Sequence, residues 1–321
     1  LADPAMPKKA QEERLEDMTP CIACLQGCVA NMYAGNPVCC LTNPFLGHEA
    51  EPLEKAEEPK KVMVIGGGVA GLSAAFIAKE RGHEVTLYEA GDVLGGNMRL
   101  AAYPPGKGDI TNMIRSYIHR CQKDGVKIVM NCEVTPELIK EEKPDSVIIA
   151  TGSKTLILPI EGIDNPAIIH GSDLLDGKRA AGKKVLVVGG GMVGCETAAF
   201  LGEQEHDVTV IEFRDTVGAD VIHEHRVYLM KDFEDYGIKE ITGAKVCKFY
   251  EDGVEYETAD GVRHESRGYD SVILSMGFRN YNPLEEKIKD LVPETHVIGD
   301  AIRARRALDA TKEAYEVASR I

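Results

Sequence analysis

Two glycine-rich segments of the sequence have the spacing that binds the pyrophosphate of a dinucleotide. Both read Gly-x-Gly-x-x-Gly, with Gly66, Gly68 and Gly71 in the first segment and Gly189, Gly191 and Gly194 in the second. The first glycine allows a tight turn, the second lets the backbone approach the pyrophosphate, and the third lets a helix pack closely against a strand. The following helix offers free N–H groups and a partial positive charge to the phosphates.

Each glycine segment is followed by an acid that can bind a ribose. Glu89 lies 18 residues after Gly71, and Glu212 lies 18 residues after Gly194. A carboxylate at this distance typically accepts hydrogen bonds from the ribose hydroxyls. Glu212 would repel a 2′-phosphate, which favours NADH, although Arg214 could pair with that phosphate and keeps NADPH open. The matched spacing predicts two copies of one dinucleotide-binding device.

A cluster of cysteines near the start of the chain indicates a metal centre. Its members are Cys21, Cys24, Cys28, Cys39 and Cys40. Thiolates in a short loop suit an iron–sulfur cluster or structural zinc. Three crowded cysteines and a later one near a proline favour the iron–sulfur cluster over a zinc ribbon, which usually has two separated Cys-x-x-Cys pairs. Spacing alone does not choose between Cys39 and Cys40 as the last ligand.

The elements around the glycine segments predict an α/β fold. Each segment follows a short apolar strand and precedes an alanine-rich helix and a second strand. The predicted elements are the strands 62–65, 84–88, 184–188 and 208–211, and the helices 72–79 and 195–202. Further β-type runs occur at residues 146–150, 271–274 and 296–298. Two such βαβ starts predict two Rossmann-like dinucleotide-binding domains, preceded by a small iron–sulfur segment.

Composition narrows the class of protein. The 321 residues carry 37 Lys and Arg against 52 Asp and Glu, a net charge of −15, which argues against binding nucleic acid. No apolar run approaches the ~20 residues of a membrane helix. We also expect no signal peptide, because the first residues do not read as a charged and then apolar segment. Clustered rather than evenly spaced cysteines argue against a secreted disulfide framework. We therefore expect a cytoplasmic protein that does not bind membranes.

Residues 61–321 resemble the two-dinucleotide-binding flavoproteins, the pyridine-nucleotide oxidoreductases. The resemblance is carried by both glycine segments, by Ala150-Thr151-Gly152 between them, and by Gly299-Asp300 near the C-terminus. It implies that the first segment, Gly152 and Asp300 bind FAD, with Asp300 on the ribityl chain. It also implies that the second segment binds the nicotinamide nucleotide.

The cysteine segment narrows the resemblance further. Residues 20–28 and 40–44 resemble the iron–sulfur segment of the 2,4-dienoyl-CoA reductase, enoate reductase and trimethylamine dehydrogenase family. This resemblance implies a [4Fe–4S] cluster on Cys21, Cys24, Cys28 and Cys40, and it leaves Cys39 out. It continues through residues 94–97 and 104–107. It thereby implies FAD contacts from Ala70, Glu89, Gly96, Asn97, Lys107 and Val134.

The family resemblance implies a domain plan and an activity. The expected domains are residues 1–55 for the iron–sulfur segment and linker, 56–180 with 281–321 for FAD, and 181–280 for NAD(P). Family members carry an N-terminal FMN-binding TIM barrel of about 250 residues, but only 65 residues precede Gly66 here. We therefore expect an electron-input module, cut from a longer chain or made as a subunit, that serves an FMN barrel reducing an enoate or enoyl-CoA.

The same motifs also occur in proteins with other functions. A nucleotide-binding module that holds ADP, as in trimethylamine dehydrogenase, or a flavoprotein like the small subunit of glutamate synthase would use similar motifs. A disulfide reductase needs a redox-active cysteine pair at the flavin, and Cys195 has no partner in the sequence. Hydride transfer from NAD(P)H to a flavin needs no protein base, so no catalytic side chain is predicted.

Overall fold

The structure is a computed structural model that describes residues 1–51 and 53–321. It divides into two compact units. The first unit comprises Leu1–Ala102, Asp109–Lys154 and Arg279–Ile321, and the second comprises Tyr103–Gly108 and Thr155–Phe278. Within the described residues, no helix combines the length and the apolar character needed to span a membrane.

Helices and strands alternate along most of the chain. The α-helices are α1 (Met6–Gln11), α2 (Val29–Tyr33), α3 (Val69–Glu80), α4 (Asn97–Leu100), α5 (Ile110–Lys123), α6 (Pro136–Glu142), α7 (Gly171–Leu175), α8 (Met192–Glu203), α9 (His223–Asp235), α10 (Glu285–Ile288) and α11 (Ala307–Ala318). The strands are β1 (Lys61–Ile65), β2 (Glu84–Tyr88), β3 (Lys127–Val129), β4 (Ser146–Ile149), β5 (Ser153–Thr155), β6 (Ile169–His170), β7 (Lys184–Val188), β8 (Asp207–Ile211), β9 (Lys239–Ile241), β10 (Lys245–Tyr250), β11 (Gly253–Glu257), β12 (Arg263–Arg267), β13 (Ser271–Leu274), β14 (Phe278–Asn280) and β15 (Glu294–Val297). Short 3-10 helices occur at Leu15–Asp17 and Gly299–Ala301.

The first unit is built on a parallel sheet with the strand order β15-β4-β1-β2-β3. Successive side chains of a strand point to opposite faces of the sheet. On β1, Val62 and Val64 pack into the cluster of α3, α5 and α11, whereas Met63 and Ile65 pack into a second cluster on the other face. Burial on both faces explains why β1 reads as an uninterrupted apolar run.

The second unit repeats the same arrangement with the order β6-β13-β7-β8-β9. Val185 and Val187 of β7 pack with apolar residues of α8 and α9. Leu186 and Val188 face the other way, where they pack with Phe249 and other residues of the antiparallel sheet β10-β11-β12. In each unit the glycine segment joins the central strand to the helix that covers one face. The segment therefore lies at the carboxyl ends of that unit's strands, where nucleotides bind in such sheets.

The predicted fold class is confirmed, with differences at element ends. The helices predicted to begin at residues 72 and 195 begin at Val69 and Met192, because Gly68 and Gly191 are their N-caps. The strand predicted at 296–298 is β15, Glu294–Val297. The limit predicted between residues 180 and 181 falls inside the second unit, since β6 pairs with β13 there.

Candidate functional site

The first glycine segment forms a tight turn between β1 and α3. Gly66 has a φ of +110°, a conformation that side chains disfavour. A Cβ on Gly71 would lie 1.9 Å from the carbonyl oxygen of Gly66, so only glycine permits this approach of helix and strand. Around Gly68, by contrast, a Cβ would meet no described atom within 4 Å. The amides at the start of α3 therefore open onto space that a phosphate can enter.

The acid after the first segment is held by backbone amides. One carboxylate oxygen of Glu89 accepts a hydrogen bond from the Gly67 N–H at 2.7 Å, and the other accepts one from the Gly91 N–H at 2.7 Å. Each oxygen has a second lone pair for a ribose hydroxyl. The backbone thus orients the carboxylate before any nucleotide binds.

The predicted FAD contacts Asn97 and Asp300 belong to one hydrogen-bonded chain in the first unit. The Asn97 Nδ2 group lies 3.3 Å from Ser153 Oγ, and that hydroxyl donates to Asp300 Oδ2 at 2.9 Å. The N–H of Arg305 donates to the other Asp300 oxygen at 3.0 Å. Ser153 is not among the FAD contacts predicted from the sequence, although it directly follows the predicted Thr151-Gly152 signal.

The other predicted FAD residues of the first unit are glycines with unusual backbone angles and buried apolar residues. A Cβ on Gly96, which has a φ of +54°, would lie 3.2 Å from the Gly68 Cα. Gly152 has a φ of +75°. Ala70 is buried in the first turn of α3, and Val134 is buried in the cluster that includes Tyr88. These positions remain predictions as FAD contacts.

The second glycine segment has nearly the same geometry. Gly189 has a φ of +106°, and a Cβ on Gly194 would lie 1.8 Å from the Gly189 carbonyl oxygen. Glu212 accepts hydrogen bonds from the N–H groups of Gly190 at 2.5 Å and Arg214 at 2.9 Å. Arg214 therefore helps to hold the acid through its backbone.

A partly buried ion pair lies in the second unit, where the first turns of α8 carry its carboxylate. Glu196 is 7% exposed and accepts a hydrogen bond from the Lys107 ammonium. Burial raises the pKa of Glu196, and the nearby Lys107 charge opposes that shift. Lys107 is one of the predicted FAD contacts, and its ammonium here neutralises a carboxylate that is not among the predicted site residues. Glu196 directly follows Gly194-Cys195, which was the available signal.

A second carboxylate that is not among the residues predicted from the sequence lies at the N-terminus of α8. The Met192 N–H, the first amide of the helix, donates to Asp220 Oδ1 at 2.9 Å. A Cβ on Gly191 would lie 3.5 Å from Asp220 Oδ2. Asp220 is 28 residues from Met192 in the chain, and no spacing rule connects them.

Cys195 is a packing residue. It is fully buried, and its Sγ lies 3.2 Å from the Gly190 carbonyl oxygen. Burial raises the pKa of its thiol to about 12. A thiol of this pKa is inert at neutral pH, in agreement with the interpretation from the sequence.

The cysteine segment folds into an irregular loop. Ala23 and Leu25 have φ values of +50° and +55°, which non-glycine residues adopt rarely. These kinks let backbone amides point at sulfur, as the Ala23 N–H does toward Cys21 Sγ at 3.4 Å. A Cβ on Gly27 would lie 2.5 Å from the Cys39 carbonyl oxygen, so the two arms of the loop touch there.

The loop is anchored in the core of the first unit. Ile22 and Leu41 are buried in the same cluster as α3 and α5, and the Tyr117 hydroxyl donates to the Leu41 carbonyl oxygen at 3.1 Å. The Leu308 N–H at the start of α11 donates to Gln26 Oε1 at 3.2 Å. These contacts hold cysteines on both arms of the loop against one scaffold.

The four predicted ligands lie near one another. Burial raises the pKa of the Cys24 thiol to about 11, and the charges of Cys40, Cys28 and Cys21 add to the rise. Among the described residues, no three His, Cys, Asp or Glu side chains are arranged to hold a metal ion as they stand. The donor set, four soft sulfur ligands with backbone N–H groups beside them, fits an iron–sulfur cluster chemically.

Two Rossmann-type units that each present a glycine turn, a helix N-terminus and an acid held by backbone amides define a two-dinucleotide oxidoreductase. Residues 60–295 match the model of the family described as pyridine nucleotide-disulphide oxidoreductase. The chain belongs to this family, as the sequence predicted. Membership confirms the prediction that the chain binds FAD and NAD(P)H.

Individual relatives narrow the similarity. The chain is 34% identical to cinnamate reductase of Clostridium sporogenes and 34% identical to NADH oxidase of Thermoanaerobacter brockii, in each case over 100% of this chain, and it covers 48% and 50% of those proteins. It is also similar to the structure of a 2-naphthoyl-CoA reductase complex, with a TM-score of 0.95 and 34% identity over 100% of this chain and 49% of that one. The chain thus spans about half the length of the relatives it matches, and the predicted resemblance to enoate-type reductases is confirmed.

Proposed function

We propose that this chain is the electron-input module of a larger flavin-dependent reductase. It would take hydride from NAD(P)H, preferably NADH, onto FAD and pass electrons singly to a [4Fe–4S] cluster. The observation that carries the proposal is that each unit has a dinucleotide fingerprint, which is the glycine segment together with the acid that follows it. One chain that binds two dinucleotides supplies both a hydride donor and a hydride acceptor. When bound, nicotinamide supplies the hydride, flavin converts an electron pair into single electrons, and the cluster carries one electron at a time.

The first unit would hold FAD by the residues already described. The α3 amides beyond Gly68 would bind the pyrophosphate, and Glu89 would bind a ribose diol. Asp300 would bind the ribityl chain, with Ser153 and the Arg305 amide fixing its two oxygens. These contacts account for binding and orientation, and none requires a protein base.

The second unit would hold the nicotinamide nucleotide. Glu212 is oriented by two backbone amides and would accept hydrogen bonds from the adenosine ribose. Its negative charge disfavours the extra phosphate of NADPH, which supports NADH as the better donor.

The cysteine loop would be the exit for electrons. Cys21, Cys24, Cys28 and Cys40 would ligate the cluster, with Cys39 as a neighbour whose sulfur already accepts from Asn31 Nδ2 at 3.4 Å. The loop packs on the same helix α3 whose N-terminus would hold the flavin phosphates. Both centres would therefore rest on one unit.

The acceptor would be an FMN-binding barrel, as a domain or subunit. Cinnamate reductase and 2-naphthoyl-CoA reductase, of which the chain covers about half, are named for reducing an unsaturated acid and an aromatic acyl-CoA. We therefore place the substrate among enoates and enoyl-CoA thioesters. A cytoplasmic location suits a thiolate-held cluster.

An anaerobic titration with NADH tests the proposal. Purified protein should contain FAD, iron and sulfide, its flavin absorbance should bleach, and a cluster EPR signal should then appear. Cys40→Ser should remove the EPR signal while flavin bleaching persists, whereas Cys39→Ser should retain both. A protein that binds zinc instead of iron and sulfide, or that holds ADP and stays unreduced by NADH and NADPH, would refute it.

A further inference from the structure

The chain's own carboxylate occupies the place where the second fingerprint would receive phosphate. Asp220 Oδ1 accepts the first amide of α8, and its Oδ2 is the described atom nearest to a Cβ built on Gly191. In a dinucleotide fingerprint, the pyrophosphate binds to the first amide of the helix and lies next to the second glycine of the motif. Here these are the Met192 N–H and Gly191. The Met192 N–H cannot donate fully to the Asp220 carboxylate and to a phosphate at once. A phosphate bound beside the carboxylate would also be repelled by its negative charge.

The first fingerprint shows that the fold does not require such a contact. Its turn has the same geometry, yet the space above Gly68 is open among the described residues. Both helices have twelve residues and a glycine N-cap. The carboxylate at α8 is therefore an addition to the motif.

The segment that carries Asp220 is built to keep it there while leaving the side chain accessible. Residues 212–222 connect β8 to α9, and the Gly218 N–H donates to the Gly190 carbonyl oxygen at 2.7 Å. This bond ties the segment to the glycine turn. Asp220 itself is exposed, so a rotation of its side chain can uncover the Met192 amide without disturbing the core.

We propose that Asp220 is an autoinhibitory competitor for the diphosphate of the nicotinamide nucleotide. This inference rests on the proposed function, in which the second fingerprint binds that nucleotide. A ligand with a diphosphate must displace the carboxylate, and the displaced charge lies beside the bound phosphates. The device weakens binding and hastens release of NAD(P), and it leaves ligands without phosphate unaffected.

Binding to the full chain tests this inference. Asp220→Asn keeps the size and an acceptor oxygen but removes the charge, and Asp220→Ser keeps only a short cap. Asp215→Asn is the matched control, because Asp215 is an exposed acid of the same segment. Dissociation constants for NADH, ADP and adenosine are measured by calorimetry, with circular dichroism to verify folding.

Both Asp220 variants should bind NADH and ADP about three- to tenfold more tightly than the parent, the scale expected for a charge at a helix N-terminus. Adenosine binding should be unchanged, and Asp215→Asn should behave like the parent. Equal or weaker NADH binding by both Asp220 variants overturns the inference and leaves the proposed function standing. Absence of NADH and ADP binding in the parent and all variants overturns both, and binding that emerges only in the Asp220 variants supports the inference.

Discussion

The two fingerprints of this chain share their backbone and differ in what surrounds it. In both, the third motif glycine approaches the first so closely that a Cβ would lie 1.8–1.9 Å from the carbonyl oxygen of the first. In both, a glutamate also accepts a hydrogen bond from the N–H of the residue directly after the first motif glycine, Gly67 or Gly190. Such contacts depend on residues close in sequence and on a fixed strand-to-helix turn. The shared motif therefore determines that a dinucleotide binds, without determining which one.

The differences lie outside the motif. Two residues after the last glycine, α3 has the buried Ser73, and α8 has the buried Glu196 with its partner Lys107. Above the helix N-terminus, Gly68 faces open space and Gly191 faces Asp220. The same turn is therefore surrounded by different charges in the two units.

The largest expected effect is a loss of stability on removal of the Lys107 ammonium, which pairs with a carboxylate of the second fingerprint. Lys107→Met leaves Glu196 buried without its partner, which should lower the free energy of unfolding by about 3 kcal/mol at pH 8. Burial already holds the pKa of Glu196 above its ordinary value, and loss of Lys107 raises it further. Because the folded state then binds a proton more tightly than the unfolded chain, stability is greatest at low pH and falls as pH rises.

Urea unfolding at pH 5 and pH 8 measures this difference. The double variant Lys107→Met with Glu196→Gln should recover most of the stability at pH 8, because no buried charge remains. If Lys107→Met loses the same free energy at both pH values, the unpaired carboxylate is not the cause and only lost packing remains.

The next effect separates the structural glycine from the binding glycine of the first fingerprint. Gly71→Ala forces a Cβ into the Gly66 carbonyl and should cost about 2 kcal/mol of unfolding free energy. Gly68→Ala meets no described atom within 4 Å, so the fold should persist while the flavin content falls, because the Cβ fills the approach to the phosphates. Flavin absorbance and thermal unfolding of both variants report this. Full flavin content in Gly68→Ala would contradict the placement of the pyrophosphate.

A smaller effect concerns the two clamped acids. Glu212→Gln removes the charge that repels a 2′-phosphate and one of two accepted amide bonds, so NADH should bind about tenfold more weakly, which is 1.4 kcal/mol, and NADPH should lose less. Glu89→Gln should instead lower FAD retention and leave NADH affinity unchanged. Calorimetric titrations of both variants make the comparison. An unchanged NADH-to-NADPH ratio in Glu212→Gln would show that Glu212 does not select the nucleotide.

Features that depend on residues close together in the sequence could be predicted, and contacts between residues far apart in the sequence could not. The two glycine turns and the strands on either side of them, β1 with β2 and β7 with β8, depend on short-range spacing and on burial of apolar runs, and they were predicted to within a residue. Short strands such as β3, β6 and β9–β12 were not predicted. The partner of Glu196 is 89 residues away and the carboxylate at α8 is 28 residues away from its amide. Those pairs depend on tertiary packing, which a single sequence does not reveal.

The cysteine loop illustrates the same limit. Its spacing and its resemblance to a family gave four candidate ligands, but no propensity predicts left-handed backbone at Ala23 and Leu25. That conformation persists because the loop is held at both arms by buried contacts of Ile22 and Leu41. The residue types were therefore enough to predict the ligands of the loop. Its backbone conformation depends on contacts with the rest of the unit and could not be predicted from them.

The smallest effect is expected at the residue that follows the last glycine, Leu72 in α3 and Cys195 in α8, both fully buried. With a pKa of about 12, roughly one Cys195 thiol in ten thousand is ionised at pH 8. Iodoacetamide should therefore modify the partly exposed Cys247 in the folded protein and spare Cys195 until the chain unfolds, as peptide mass spectrometry would show. Cys195→Ala should also leave reduction by NADH unchanged, because Cys195, like Leu72, fills space behind its turn. Native-state alkylation of Cys195 at the rate of Cys247 would instead indicate a reactive thiol at the second fingerprint and revive a disulfide-reducing role.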